Sequence, residues 1–180
     1  VVLGDVDGDG DLDLVVGNVG ETNKLYLNNG SGGFASNGTA IGSETDLTTE
    51  AVLGDVDGDG DLDLVAGNAY QINKLYLNNG SGGFASTGTD IGSDTDSTNE
   101  VVLGDMDGDG DLDLVAASNG PSRLYLNNGS GFTTDAGTVF GSESDTTRSV
   151  VVADMDRDGD LDALIANHGD NRPVVSMICN

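Results

Sequence analysis

The chain has 180 residues and carries 32 Asp plus Glu against 6 Lys plus Arg, a formal net charge of -26. A protein that neutralises phosphates needs clustered Lys and Arg, so this balance excludes nucleic acid as a partner. With 29 Gly, 4% aromatics and no Trp, long helices are not expected, while 36% hydrophobic residues are enough for one packed domain.

In chain order, the first element is a short aliphatic run, VVLG, at residues 1–4. An Asp/Gly-rich break, DVDGDGDLD at 5–13, separates it from a second apolar run, LDLVVG, and a third, KLYLN, follows from Lys24. These runs have the β-branched and aliphatic enrichment of strands. The third ends in NNGSGGF (28–34), where Asn29-Gly30 signals a tight turn into a fourth, weaker strand. At Ala51 the order begins again.

The opening segment VVLGDVDGDGDLDLVVGN recurs as AVLGDVDGDGDLDLVAGN at Ala51, VVLGDMDGDGDLDLVAAS at Val101 and, more loosely, VVVADMDRDGDLDALIAN at Val150. Four antiparallel strands per repeat of about 50 residues is the arithmetic of a β-propeller blade. The expected fold is therefore all-β, a single repeat domain over 1–180 with units at 1–50, 51–100, 101–149 and 150–180. A β-solenoid is the alternative, but its coils are typically shorter and lack hairpin turns. Apolar residues on both strand faces, as at Leu12, Leu14, Val15 and Val16, suit sheets covered on both sides by neighbouring blades. The last unit ends at PVVSMICN without a counterpart of NNGSGGF, which is expected to leave it incomplete, with an open strand edge that invites another strand.

In each unit the Asp/Gly break places carboxylates at loop positions 1, 3, 5 and 9, with Gly at position 6. Ca²⁺ takes about six to eight oxygens, and alternate residues of a tight loop can aim theirs at one centre. The candidate side-chain ligands are Asp5, Asp7, Asp9 and Asp13; Asp55, Asp57, Asp59 and Asp63; Asp105, Asp107, Asp109 and Asp113; and Asp154, Asp156, Asp158 and Asp162. Asp11, Asp61, Asp111 and Asp160, at position 7, would offer backbone carbonyls, and the position 9 Asp would close the site with both oxygens. The loop is not an EF-hand, which needs Glu at position 12, where Val16 stands. One such string is an ordinary solvated turn as readily as a site; four in register, holding 20 of the 32 acidic residues, point to about four Ca²⁺, one per repeat.

The DVDGDGDLDLVVGN blocks, the NKLYLNNG that follows and the GGF at 32–34 and 82–84 resemble the FG-GAP repeats, also termed VCBS repeats, of integrin α-subunit propellers and many secreted bacterial proteins. The resemblance covers essentially the whole chain. It implies a calcium-binding propeller whose metal loops join the first and second strands of each blade. No literal G-A-P string is present, so the bacterial-type repeat is the closer match. Arg157 takes the place of a loop Gly in the fourth unit, at a non-ligand position.

Asn29, Asn37, Asn79 and Asn128 each begin an N-x-[ST] sequon and are candidate glycosylation sites, although hairpin chemistry alone accounts for the three NGS strings. Differences between units concentrate at 19–22, 69–72 and 118–122, where Tyr70 and Ile72 are the notable apolar residues, with packing as plausible a role as contact. His168 is the single histidine, and no nucleophile-base pair or phosphate cradle can be assembled, so no catalytic residue and no enzyme is expected. Cys179 can form no internal disulfide. No run approaches the 18 apolar residues of a membrane span and no basic, apolar leader opens the chain; Val1 already stands inside a motif, which suggests an excerpt or a processed product. The expected function is an extracellular calcium-binding module with protein partners, either adhesive or self-assembling through the last unit. A lectin-like propeller or a non-catalytic domain of a larger secreted enzyme is the alternative.

Overall fold

The computed structural model describes residues 1–140 and 146–168, and the backbone of 174–176. Cys179 and the end of the fourth unit lie outside the described residues. Every regular element described is a strand, and among the described residues no helix is long and apolar enough to cross a membrane.

The first unit forms the antiparallel meander β1 (Val2–Gly4), β2 (Asp13–Val16), β3 (Asn23–Tyr26) and β4 (Thr39–Ile41). The second repeats it as β5 (Thr48–Gly54), β6 (Asp63–Asn68), β7 (Asn73–Tyr76) and β8 (Thr89–Ile91). The third has β9 (Ser97–Gly104), β10 (Asp113–Asn119), β11 (Ser122–Tyr125) and β12 (Thr138–Phe140). The fourth has β13 (Thr146–Ala153), β14 (Asp162–His168) and β15 (Val174–Ser176). One pair, Asn119 with Thr146, ties the third meander to the fourth. Register repeats with the sequence: Leu3 faces Leu14, Leu53 faces Leu64 and Leu103 faces Leu114. The expected fourth strand is only three residues long, because NNGSGGF is spent on the turn, closed by the Asn28–Phe34 and Asn127–Phe132 bridges.

The core lies between the meanders. One cluster joins Val6, Val15, Leu25 and Ile41 of the first unit to Leu64 and Tyr76 of the second. The next joins Val56, Val65 and Leu75 of the second to Leu114, Tyr125 and Phe132 of the third, and another joins Met106, Val115 and Phe140 of the third to Val150 and Ile165 of the fourth. Consecutive side chains of a strand point to opposite faces, so a sheet covered on both sides buries every position. Leu64, Val65 and Ala66 are all fully buried.

Close approach of the sheets depends on glycine at the fourth position of the first three units, Gly4, Gly54 and Gly104. A Cβ on Gly4 would stand 2.8 Å from Cδ1 of both Leu53 and Leu62, and one on Gly54 would stand 2.6 Å from Leu103 Cδ1 and 3.1 Å from Leu112 Cδ1. Leucines of the second and third units therefore seat over Gly4 and Gly54, and Leu161 and Val152 of the fourth unit over Gly104. Together these stacked four-stranded meanders are consecutive blades of an incomplete β-propeller.

Candidate metal centres in the aspartate loops

Each loop joins the first and second strands of its unit, and its first aspartate holds it closed. Asp5 Oδ1 accepts the N–H groups of Gly8 (2.8 Å) and Asp9 (3.1 Å), and Asp5 Oδ2 accepts that of Gly10 (2.9 Å). Asp105 does the same for Gly108 and Gly110. In the fourth loop Arg157 adopts φ +69°, close to the +75° of Gly8, and its N–H donates to Asp154 Oδ1, so the turn survives the replacement.

The ninth position is buried in every loop: Asp13, Asp63 and Asp113 are inaccessible to solvent and Asp162 nearly so. Its carboxylate has a structural use of its own. Asp13 Oδ2 accepts the Val6 N–H (3.1 Å) and Oδ1 that of Asn28 (2.8 Å), which staples the loop to the end of the third strand. Asp63 does so with Val56 and Asn78, and Asp113 with Met106 and Asn127. Each oxygen keeps a lone pair for a further ligand.

Positions 1, 3 and 9 converge. Carboxylate oxygens of Asp5, Asp7 and Asp13 lie within 4.8 Å of one another, as do those of Asp55, Asp57 and Asp63, of Asp105, Asp107 and Asp113, and of Asp154, Asp156 and Asp162. The structure does not bring the position 5 carboxylates into these groups. Asp9, Asp59, Asp109 and Asp158 instead accept the N–H of Asp11, Asp61, Asp111 and Asp160 at 2.9 to 3.0 Å. The side chains of Asp11, Asp61 and Asp111 point elsewhere, toward Gly30, Gly80 and Gly129 in the neighbouring turn.

Burial raises the carboxyl of Asp63 above the ordinary aspartate range, Asp57 and Asp59 add to the rise, and the N–H groups of Asn78 and Val56 oppose it. Asp113 is raised in the same way, and Asp7 and Asp156 are raised by loss of hydration and by the neighbouring aspartates. A cation between the carboxylates would relieve that repulsion. The donor set is all oxygen and fits a hard divalent ion. The second loop supplies an independent sign of fit: Asp55 Oδ1 is buried and has no hydrogen-bond partner. Asp5, Asp7 and Asp13 and their equivalents would hold such an ion.

A feature that the sequence reading missed ties each of the first two loops to the unit that follows it. Asn78 Nδ2 donates to Leu62 O in its own unit (3.1 Å) and to Val6 O of the first unit (2.8 Å). Asn127 Nδ2 donates likewise to Leu112 O (3.1 Å) and to Val56 O (2.7 Å). Its signal was the first Asn of LYLNNG, whose inter-unit partner lies 71 or 72 residues away. At the opposite ends of the strands, Tyr70 is exposed at φ +57°, where the first unit has Gly20 at φ +74°. The sequon residues Asn29, Asn37, Asn79 and Asn128 are all exposed.

Four-stranded meanders packed face to face, each with an acidic loop between its first two strands, define a protein of the β-propeller repeat class. The sequence model of the FG-GAP-like repeat matches residues 5–66, 55–116 and 105–165, and the chain belongs to that family. No curated protein matches it in sequence. Among solved structures it is similar to an Agrocybe aegerita lectin, whose structure is described as the basis of specific recognition of non-reducing terminal N-acetylglucosamine. The TM-score is 0.62 at 23% identity, over 95% of this chain and 49% of that chain. The likeness is one of fold, and the chain spans about half the length of the lectin.

Proposed function

We propose that the chain is a calcium-stabilised propeller module that works outside the cell by binding or assembling with other macromolecules, without catalysis. The observation that supports the calcium role best is the buried, unpartnered Asp55 Oδ1 within a convergent carboxylate group that recurs in all four units. If free Ca²⁺ exceeds the dissociation constant tenfold, each site adds about 1.4 kcal/mol, and four add roughly 6 kcal/mol. That is comparable to a domain's net stability of about 5 to 15 kcal/mol. Four ions would also bring the formal charge from -26 to -18. Thermal melts in calcium and in EDTA test the reading: a fall on the order of 15 °C on chelation is expected, and coincident melts would overturn it. Extracellular modules bind Ca²⁺ at about 10⁻⁴ to 10⁻³ M, and calorimetry would place these loops in or out of that range.

Glycan binding is a second reading, favoured by one observation. A cleft of about 230 Å³ between the second and third units combines apolar Leu75, Ile91 and Phe132 with polar Thr89, Asp90 and Asn128. The lectin named above makes N-acetylglucosamine the first sugar to test, by calorimetric titration; heat that disappears in Asn128→Ala would support this reading, and no heat would remove it.

A further inference from the structure

We propose that the aspartate loops of neighbouring units are coupled, so that filling one loop with Ca²⁺ strengthens binding in the next, and that Asn78 and Asn127 are the positioning residues that carry the coupling. This rests on the calcium reading of the loops and adds to it an interaction between sites.

A continuous run of hydrogen bonds joins one carboxylate group to the next. Asp63 Oδ2 accepts the Val56 N–H (3.0 Å), Asn127 Nδ2 donates to Val56 O (2.7 Å), and the Asn127 N–H donates to Asp113 Oδ1 (2.8 Å). The same run links the first loop to the second. Asp13 Oδ2 accepts the Val6 N–H (3.1 Å), Asn78 Nδ2 donates to Val6 O (2.8 Å), and the Asn78 N–H donates to Asp63 Oδ1 (2.8 Å). Asp63 thus belongs to both runs, one through each of its oxygens. Each Asn also grips the carbonyl just before the last ligand of its own unit, Asn78 that of Leu62 and Asn127 that of Leu112. Every member is buried, and Asp13, Asp63 and Asp113 are inaccessible to solvent, so water does not replace a lost partner.

A run of bonds supplies a route; the energy comes from an element that both sites must order. That element is the residue at loop position 2. Val56 stands between Asp55 and Asp57, two of the three converging carboxylates, so drawing both to one ion fixes the peptide groups on either side of Val56. The carbonyl so fixed is the acceptor for Asn127, whose own N–H holds Asp113 in place for the third loop. With one loop ordered, less freedom remains to be lost at the next, which gives positive cooperativity. By reciprocity the third loop acts on the second by the same factor.

Charge acts the other way. The second loop holds five Asp, a formal charge of -5 when empty and -3 with one Ca²⁺, so a filled neighbour attracts the next cation less. In Asp57→Ala the loop loses a converging ligand and, left empty, stands at -4. Charge alone therefore predicts tighter binding in the third loop of this variant, and coupling through Asn127 predicts weaker binding. At about 0.15 M salt the Debye length is about 8 Å, which subdues the charge effect.

Amide NMR of the full chain, titrated with Ca²⁺ in that salt, reads each loop separately. The reporters are Gly60 and Gly110, whose N–H groups donate to Asp55 and Asp105, the first aspartates of their loops. With Gly60 silent in Asp57→Ala, the Ca²⁺ midpoint at Gly110 is expected to rise about fivefold, the low end of couplings between sites. In an Asn127→Ala background the same substitution should leave the Gly110 midpoint where it was. Because Asn127→Ala also costs stability, a second measurement avoids it: in Asp107→Ala, which disables the third loop, the Asn127 side-chain amide signals should still shift with the midpoint of Gly60. An unchanged or lowered Gly110 midpoint in Asp57→Ala, or Asn127 signals that ignore the filling of the second loop, would overturn the coupling. A fivefold rise that persists without the Asn127 side chain would overturn the role given to that residue. Wild-type Gly60 and Gly110 signals that do not respond to Ca²⁺ at all would overturn the calcium reading itself, and the coupling with it.

Discussion

Replacing Asn127 with Ala removes the latch between the third unit and the loop of the second. The side chain donates to Val56 O and Leu112 O, and its Oδ1 accepts the N–H groups of Asn128 (2.7 Å), Gly129 (3.1 Å) and Gly131 (2.9 Å). A net hydrogen bond contributes about 1 kcal/mol, and a buried group left unpaired costs about 1–3 kcal/mol. Some turn N–H groups regain water, which puts the loss near 3–4 kcal/mol, or about 10 °C for a chain of this size. Asn28 is an internal control, since among the described residues its side chain makes only the bond to Leu12 O (3.1 Å) and one from the Gly32 N–H (3.2 Å), in a half-exposed site. Asn28→Ala should cost about 1 kcal/mol. Both variants would be melted in calcium at concentrations where the wild type is a single chain. Equal losses at the two positions would refute the inter-unit bond as a source of stability.

Asp113→Asn in EDTA should lower stability by about 2–3 kcal/mol, because an amide cannot accept both the Met106 and Asn127 N–H groups. Asp109→Asn keeps an acceptor for Asp111 and should change the EDTA melt little; a comparable loss there would refute the separate roles of positions 5 and 9. Tyr70→Gly should stabilise by about 1 kcal/mol, since the left-handed conformation costs a side chain about 1–2 kcal/mol; a lowered melting temperature would show that the ring makes a contact of its own. Glu44 is expected to make the protein acid-sensitive. Burial acts to raise its carboxyl, but its own N–H, those of Gly88 and Ser43, and the Tyr76 hydroxyl together hold it below the ordinary 4.5. A lowered folded value means stability present above the unfolded pKa and lost as pH falls through the folded one. Urea midpoints should therefore drop below pH 4.5 in the wild type and less steeply in Glu44→Gln; parallel curves would refute this.

The repeat, its strands and its acidic loops were legible because each is local. Alternation, turn residues and carboxylate spacing act within about a dozen residues, and copying them in register multiplies the signal. The groups Asp5–Asp7–Asp13 and their equivalents came from spacing alone, since a nine-residue loop leaves little room for another arrangement. Spacing could not separate Asp9 from them, because the competing use of its carboxylate, capping Asp11, is decided by backbone dihedrals. Nor did it show that Asp13 spends both oxygens on N–H groups, one of them 15 residues away.

What only the tertiary structure decided is how one unit meets the next. Asn78 and Asn127 reach carbonyls 72 and 71 residues back, Glu44 crosses to Gly88, and leucines seat over Gly4 and Gly54. The sequence by itself determined each blade and its loop, because those interactions are short in sequence and periodic. The packing that stacks one copy on the next rests on contacts more than 40 residues apart, whose partners are fixed only once the sheets have stacked.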